Sequence, residues 1–111
     1  MKLVLDVVKW VKPATGHFQI DYKGGRLYEP DFVVETGSGK FLCEPKQVGE
    51  MDDPDVRDKA RAAALWCRHA TEHELKHEGK PWTYLLIPHD AVAASSTFAG
   101  VVRAYEVAPP A

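Results

Sequence analysis

The chain has 111 residues, a length that fits one domain over 1–111 with a hydrophobic core of modest size. Hydrophobic residues make up 45% of it and charged residues 27%, which is ordinary for a soluble globular protein. The net charge of −2 excludes a strongly basic domain that holds nucleic acid by charge alone.

The two cysteines indicate a reducing compartment. Cys43 falls on a predicted strand and Cys67 on a predicted helix, and the chain carries no secretory features. We therefore expect two buried thiols in the cytoplasm, with a disulfide between them as the alternative. We expect neither a signal peptide nor a membrane span, because no apolar run is long enough for a span and no cleavable hydrophobic region follows the start.

The first predicted element, residues 3–12, is compatible with a helix or with a strand. Leu3, Val7 and Val11 share one face of a helix, whereas the valines favour a strand. A helix here would end before Pro13.

Three strands are predicted next, over residues 17–22, 26–35 and 40–48. The first alternates apolar and polar residues, and the other two carry short apolar runs that begin at Phe32 and Phe41. Turn residues at 23–25 and 37–39 separate the strands, and the second turn is typical of a hairpin. Pro30 interrupts the second strand, which predicts an edge, a bulge or an opening that exposes the next residue.

A long helix is predicted after the third strand. Asp53 can cap its free N–H groups and Pro54 fits its first turn, and we expect it to run to about Glu78. Gly79 is the predicted C-terminal cap, and Pro81 forbids continuation. One face carries small residues, which predicts close packing against the sheet. The residues of this face are Val56, Ala60, Ala63, Ala64, Cys67 and Thr71.

The last part of the chain completes an α/β pattern. Residues 81–88 form a near-continuous apolar run, which predicts a central strand buried on both faces. A strand, a long helix and another strand indicate a parallel crossover. Residues 95–97 can cap a last short helix over 98–105.

Three ionisable residues at the strand edges form a candidate site. Glu44 and Lys46 are two apart on one strand, so they point to the same face. If that strand pairs with its neighbour across the turn, Asp31 lies beside them. Two carboxylates with room for water suit Mg²⁺, and an adjacent lysine can position or activate an attacking water. Taken without further context, Asp31 is equally well explained as a surface carboxylate next to a turn.

Pro30-Asp31, followed by Glu44-Pro45-Lys46 after a turn, resembles the PD-(D/E)xK motif of restriction-endonuclease-like nucleases. The stretch from about Trp10 to Pro88 resembles the C-terminal endonuclease domain of type III restriction enzymes. The similar pieces are WVK at 10–12, FQIDY at 18–22, YEPDF at 28–32, residues 56–66 with Lys59, and WTYLLIPHD at 82–90. The nuclease subunit of some transposition systems is similar in pattern.

This resemblance implies an α/β, restriction-endonuclease-like fold, with a mixed central sheet of about four strands flanked by helices. Because the family has a helix at the start, it favours the helical alternative for residues 3–12. It implies catalytic roles for Asp31, Glu44 and Lys46, with Mg²⁺ or substituting Mn²⁺ held by the two carboxylates and the carbonyl of Pro45. The implied reaction is endonucleolytic hydrolysis of DNA phosphodiester bonds.

The resemblance also implies partners. DNA is the implied substrate, and Gln47 and Lys59 are candidates to contact it, with a solvated side chain as the alternative for each. Type III enzymes use an ATPase motor and a methyltransferase subunit, and this chain has no P-loop pattern. We therefore expect either a domain of a longer protein or a standalone relative. A homodimer is compatible with the sequence, and no membrane partner is expected.

Two other functions are compatible with the sequence. A non-catalytic DNA-docking or assembly module would keep the nuclease fold with an idle site; the acidic charge and Pro45 favour it, and the intact carboxylate and lysine set disfavours it. His69, His73 and His77, spaced by four, form a stripe that could bind zinc. Because the stripe lies opposite the alanine face, we expect it to be exposed and solvated instead.

Overall fold

The computed structural model describes residues 7–13, 18–94 and 98–109. The strands of this part of the chain are β1 (Val7–Val11), β2 (Ile20–Lys23), β3 (Arg26–Tyr28), β4 (Phe32–Thr36), β5 (Lys40–Lys46), β6 (Trp82–Pro88) and β7 (Glu106–Val107). The main sheet has the spatial order β1-β4-β5-β6-β7, and β2 pairs with β3 in a separate two-stranded sheet.

The predicted α/β class with a mixed central sheet is confirmed. β5 and β6 run parallel, and the other neighbouring pairs of the main sheet are antiparallel. Four strands form the body of this sheet, as expected. β7 adds only two residues to its edge, beyond β6.

The helices in the described ranges are α1 (Pro54–Leu75), α2 (His89–Ala94) and α3 (Phe98–Tyr105), and a 3-10 helix, Val48–Glu50, precedes α1. β5, α1 and β6 form the predicted parallel crossover. The 3-10 helix follows β5 after Gln47, so the strand predicted to reach Val48 ends at Lys46. The sequence pattern does not predict α2. The predicted cap of α3 falls on residues 95–97, outside the described residues.

The start of α1 agrees with the prediction and its end does not. The side chain of Asp53 accepts a hydrogen bond from the Asp55 N–H at 2.8 Å, which caps the helix. The helix ends at Leu75, short of the predicted Glu78. Glu78 has a φ of 60°, so it takes the left-handed conformation that Gly79 was expected to take. A Cβ at Gly79 would meet the far end of the Glu74 side chain, which would have to move to make room.

The main sheet is covered on both faces, and β6 is buried on both, as predicted. On one face, Leu42, Tyr84 and Leu86 lie in the hydrophobic core beneath the small residues of α1. Ala63, with no exposed surface, belongs to this layer. On the other face the core consists of Val34, Cys43, Leu85, Ile87 and, from α3, Val101. Thus Glu44 and Lys46, which share a face with Leu42, lie on the α1 side.

The prediction of a helix over residues 3–12 is wrong for residues 7–11. These residues form β1, which pairs antiparallel with β4 so that Trp10 lies opposite Val34 and Val11 opposite Val33. The β-branched valines favour this conformation, and pairing satisfies the backbone groups at the open edge of β4. Residues 1–6 lie outside the described part of the chain.

The strand predicted over 26–35 is two strands in two different sheets. β3 ends at Tyr28 and β4 begins at Phe32, and Pro30, which has no N–H to donate, lies between them. The first predicted strand begins at Ile20, and residues 14–17 lie outside the described part. The hairpin between β4 and β5 is confirmed, with the Thr36 N–H donating to the Gly39 carbonyl at 2.8 Å.

Both cysteines are free and buried, as predicted. Burial raises the pKa of the Cys43 thiol to about 12, and burial together with the neighbouring Cys43 does the same for Cys67. Within the described ranges, the helices are all too short or too polar to cross a lipid bilayer.

Candidate active site

The register between β4 and β5 brings Asp31 next to Glu44. Phe32 pairs with Cys43, so one step further along the same register sets Asp31 opposite Glu44. The Asp31 N–H donates a hydrogen bond to Glu44 Oε1 at 3.1 Å. The interruption at Pro30 leaves Asp31 half-buried between β3 and β4.

Glu44 is buried with only 6% of its surface exposed. Burial raises the pKa of its carboxyl, and the nearby charge of Asp31 raises it further, while the hydrogen bond from Tyr28 and the charge of Lys46 lower it. The Asp31 carboxylate is therefore close enough to interact electrostatically with Glu44. A buried carboxylate next to a second one is costly to ionise unless a cation shares the site.

Two buried tyrosines are hydrogen-bonded in a chain that ends on Glu44. The Tyr28 hydroxyl donates to Glu44 Oε1 at 2.8 Å and lies 2.7 Å from the hydroxyl of Tyr84. Burial raises the pKa of both phenols, and the mutual contact and Glu44 raise that of Tyr28 further. Both tyrosines are therefore neutral at physiological pH and act as hydrogen-bonding groups.

Lys46 lies on the same face as Glu44, as predicted. Its Nζ is 3.7 Å from Glu44 Oε2, and its side chain is 28% exposed. The ammonium therefore borders both the carboxylate and solvent. Pro45 does not disrupt the strand, because β5 stays paired with β6 through Pro45 opposite Ile87 and Lys46 opposite Pro88.

Lys59, on α1, lies over the aromatic rings beside the site. Its Nζ is 5.4 Å from the centroid of Tyr22 and 5.8 Å from that of Tyr28. It also forms an ion pair with Asp55 at 3.2 Å, and Asp55 accepts a hydrogen bond from the Tyr22 hydroxyl at 3.1 Å. Lys59 is thus one side chain away from Glu44, with Tyr28 between them.

The remaining predicted residues lie at the surface. Gln47 is exposed directly after β5, and its side chain makes no capping hydrogen bond to the 3-10 helix that follows. His69, His73 and His77 are all exposed, as predicted, and the rings of His73 and His77 are 4.7 Å apart.

The donor set at Glu44 fits a hard divalent cation. Asp31 and Glu44 would supply carboxylate oxygens, the ligands that Mg²⁺ prefers, and Mg²⁺ commonly needs only one or two carboxylates because it keeps several waters. In the described part of the chain, the His, Cys, Asp and Glu side chains form no group of three or more that could hold a metal ion. A cation here would therefore depend on the two carboxylates, a backbone carbonyl and water.

Sequence reasoning from the residues missed the tyrosines as members of this site. Tyr84 sits within the apolar run of β6, where its hydrophobic neighbours hide it. The available signal is chemical, because a buried tyrosine hydroxyl needs a hydrogen-bond partner, and a nearby carboxylate is a strong one.

Comparison of the chain with protein-family models, with curated protein sequences and with solved structures found no significant match in any of the three.

Proposed function

We propose that this chain is a Mg²⁺-dependent DNA endonuclease domain of the PD-(D/E)xK type. The observation that carries the proposal is the arrangement around Glu44. Two adjacent strands bring Asp31 against this buried carboxylate, and Lys46 lies on the same face 3.7 Å away. Buried ionisable groups with shifted pKa values are typical of functional sites.

The roles follow from the chemistry of each group. Asp31, Glu44 and the carbonyl of Pro45 would hold the cation. When bound, Mg²⁺ would supply Lewis acidity that stabilises charge on the phosphate and lowers the pKa of water. Lys46, as a cation beside Glu44, would orient the attacking water or stabilise negative charge on the pentacovalent phosphorus. Lys59 and Gln47 would contact the DNA.

The fold supports this assignment in outline. An antiparallel hairpin that carries the carboxylates, followed by a parallel β-α-β crossover, is compatible with a restriction-endonuclease-like domain. The similarity to type III restriction enzymes extends the proposal to partners. An ATPase motor would move the DNA and a methyltransferase subunit would select the sequence, as in those enzymes, and this chain has no P-loop pattern of its own.

The test is cleavage of plasmid DNA at low salt with excess Mn²⁺ or Mg²⁺. We expect weak cleavage that requires the metal, and Lys46→Ala should abolish it, with a rate loss of about 10²–10⁴-fold. Metal binding should persist in this variant, because a protonated lysine cannot ligate a cation. Glu44→Ala should lose both the metal and the activity.

Lys40→Ala is the matched control for Lys46→Ala. Lys40 lies on the same face of β5, six residues away, where its Nζ is over the Trp82 ring at 5.3 Å. The Lys40→Ala variant should cleave DNA at the parental rate. If Lys46→Ala also cuts at the parental rate, the lysine has no chemical role or the activity is a contaminant. A parent that binds DNA and cuts nothing favours a non-catalytic docking module.

A further inference from the structure

Two buried tyrosines, Tyr28 and Tyr84, form a hydrogen-bonded chain that ends on Glu44. Tyr28 comes from β3 and Tyr84 from β6, and they are 5% and 1% exposed. Their rings meet edge to face, with centroids 6.3 Å apart. Both hydroxyls are thus fixed by the packing between α1 and the sheet.

Counting hydrogens sets the direction of the hydrogen bonds. A tyrosine hydroxyl has a single hydrogen, and an ionised carboxylate can only accept. Tyr28 must therefore donate its hydrogen to Glu44 Oε1. The Tyr84 hydroxyl, 2.7 Å away, then donates to the oxygen of Tyr28. The result is a directed chain from Tyr84 through Tyr28 to Glu44.

This chain distinguishes the two carboxylate oxygens of Glu44. Oε1 accepts from the Tyr28 hydroxyl and from the Asp31 N–H, which occupies both of its lone pairs. Oε2 lies at the other end of the carboxylate, 3.7 Å from Lys46 Nζ. Its lone pairs are the ones left for a cation.

We propose that Tyr28, braced by Tyr84, is a positioning residue that orients the Glu44 carboxylate so that Oε2 alone is presented to a divalent cation. This inference rests on the proposed function. Both tyrosines would act through Glu44, because the Tyr28 hydroxyl contacts its Oε1 and the Tyr84 hydroxyl contacts Tyr28. Outer-shell groups of this kind act by fixing the rotamer of a ligand and by removing the alternative ligating atom.

The test is Mn²⁺ binding to the full chain without DNA, measured by calorimetry and by electron paramagnetic resonance. Tyr28→Phe keeps the ring and removes the hydroxyl, and it should raise the Kd for Mn²⁺ on the order of 10-fold. Tyr105→Phe is the matched control, because Tyr105 packs on the opposite face of the sheet. It should bind Mn²⁺ like the parent. A purely structural role would lower the melting temperature and leave the Kd unchanged.

Tyr84→Phe is the second variant, and it should weaken Mn²⁺ binding in the same direction by a smaller factor. If Tyr28→Phe does not fold, the Kd of Tyr84→Phe for Mn²⁺ tests the positioning role instead. A parent that binds Mn²⁺ while the folded tyrosine variants bind it equally well overturns the positioning role and leaves the proposed function intact. A parent that binds no Mn²⁺ overturns the metal site itself, and the positioning role with it.

Discussion

Glu44 is the residue on which the site depends. Among the charged residues whose burial the structure describes, it alone is buried. Replacing a buried ion pair by apolar residues of similar volume is often neutral or stabilising, so the pairing of Glu44 with Lys46 is weak evidence that this carboxylate is there to stabilise the fold. Its presence between two strands of the core is therefore better explained by function than by stability.

Removing the charge of Glu44 should stabilise the metal-free protein at neutral pH. Its pKa is raised by burial, so the folded state holds its proton to a higher pH than the unfolded state does. The contribution of Glu44 to the free energy of unfolding therefore falls as pH rises above the ordinary glutamate pKa of 4.5. Glu44→Gln keeps the acceptor for Tyr28 and Asp31 and removes this loss. We expect a gain on the order of 1 kcal/mol at pH 7 that disappears below pH ~4.

Urea denaturation at several pH values measures this difference. Glu72→Gln is the control, because Glu72 is exposed on α1, 3.9 Å from Arg68, and its neutralisation should change stability little at any pH. A Glu44→Gln variant that is less stable than the parent at pH 7 would show that the charge of Glu44 helps to hold the fold. In that case its burial would no longer point to a functional role.

At the scale of elements, α1 is the structure that covers the site. Its first turn carries Asp55, and Lys59 follows one turn later. The small residues of α1 let it lie close to the sheet.

Asp53→Ala removes the N-terminal cap of α1 and should lower the free energy of unfolding by about 1 kcal/mol. Asp52→Ala, at a side chain 98% exposed, is the control and should cost far less. Equal losses in urea denaturation would show that the cap contributes nothing specific.

The spacing of apolar residues predicted those elements in which only one type of secondary structure fits the pattern. The small face of α1 and the apolar run of β6 each allowed one interpretation, and both are confirmed. The sequence of β1 is compatible with a helix and with a strand. The choice depended on pairing with the edge of β4, which exists only in the folded sheet. The separation of β3 from β4 was signalled by Pro30, but the existence of a second sheet was not. The Tyr28 to Glu44 contact joins residues of different sheets, so no local pattern could predict it.

At the scale of the whole molecule, charge would limit the affinity of the proposed nuclease domain for DNA. The chain has 14 basic residues against 16 acidic ones. The two lysines of the candidate site are each next to a carboxylate, Lys46 by Glu44 and Lys59 by Asp55. Phosphates must compete with these carboxylates, so we expect the isolated chain to bind DNA weakly and to depend on partner domains for affinity.

The salt dependence of DNA binding should report how many phosphates the domain neutralises. Two contacts, from Lys46 and Lys59, predict a slope of log affinity against log salt of about −1.8, or a roughly 12-fold loss between about 50 and 200 mM. Lys59→Ala should make this slope shallower by about 0.9 and should lower the affinity for all DNA sequences by a similar factor. Fluorescence anisotropy with a labelled duplex measures it, with Lys76→Ala, exposed just beyond the last turn of α1, as the control. A Lys59→Ala slope equal to the parental one would remove Lys59 from the interface and assign it to its ion pair with Asp55.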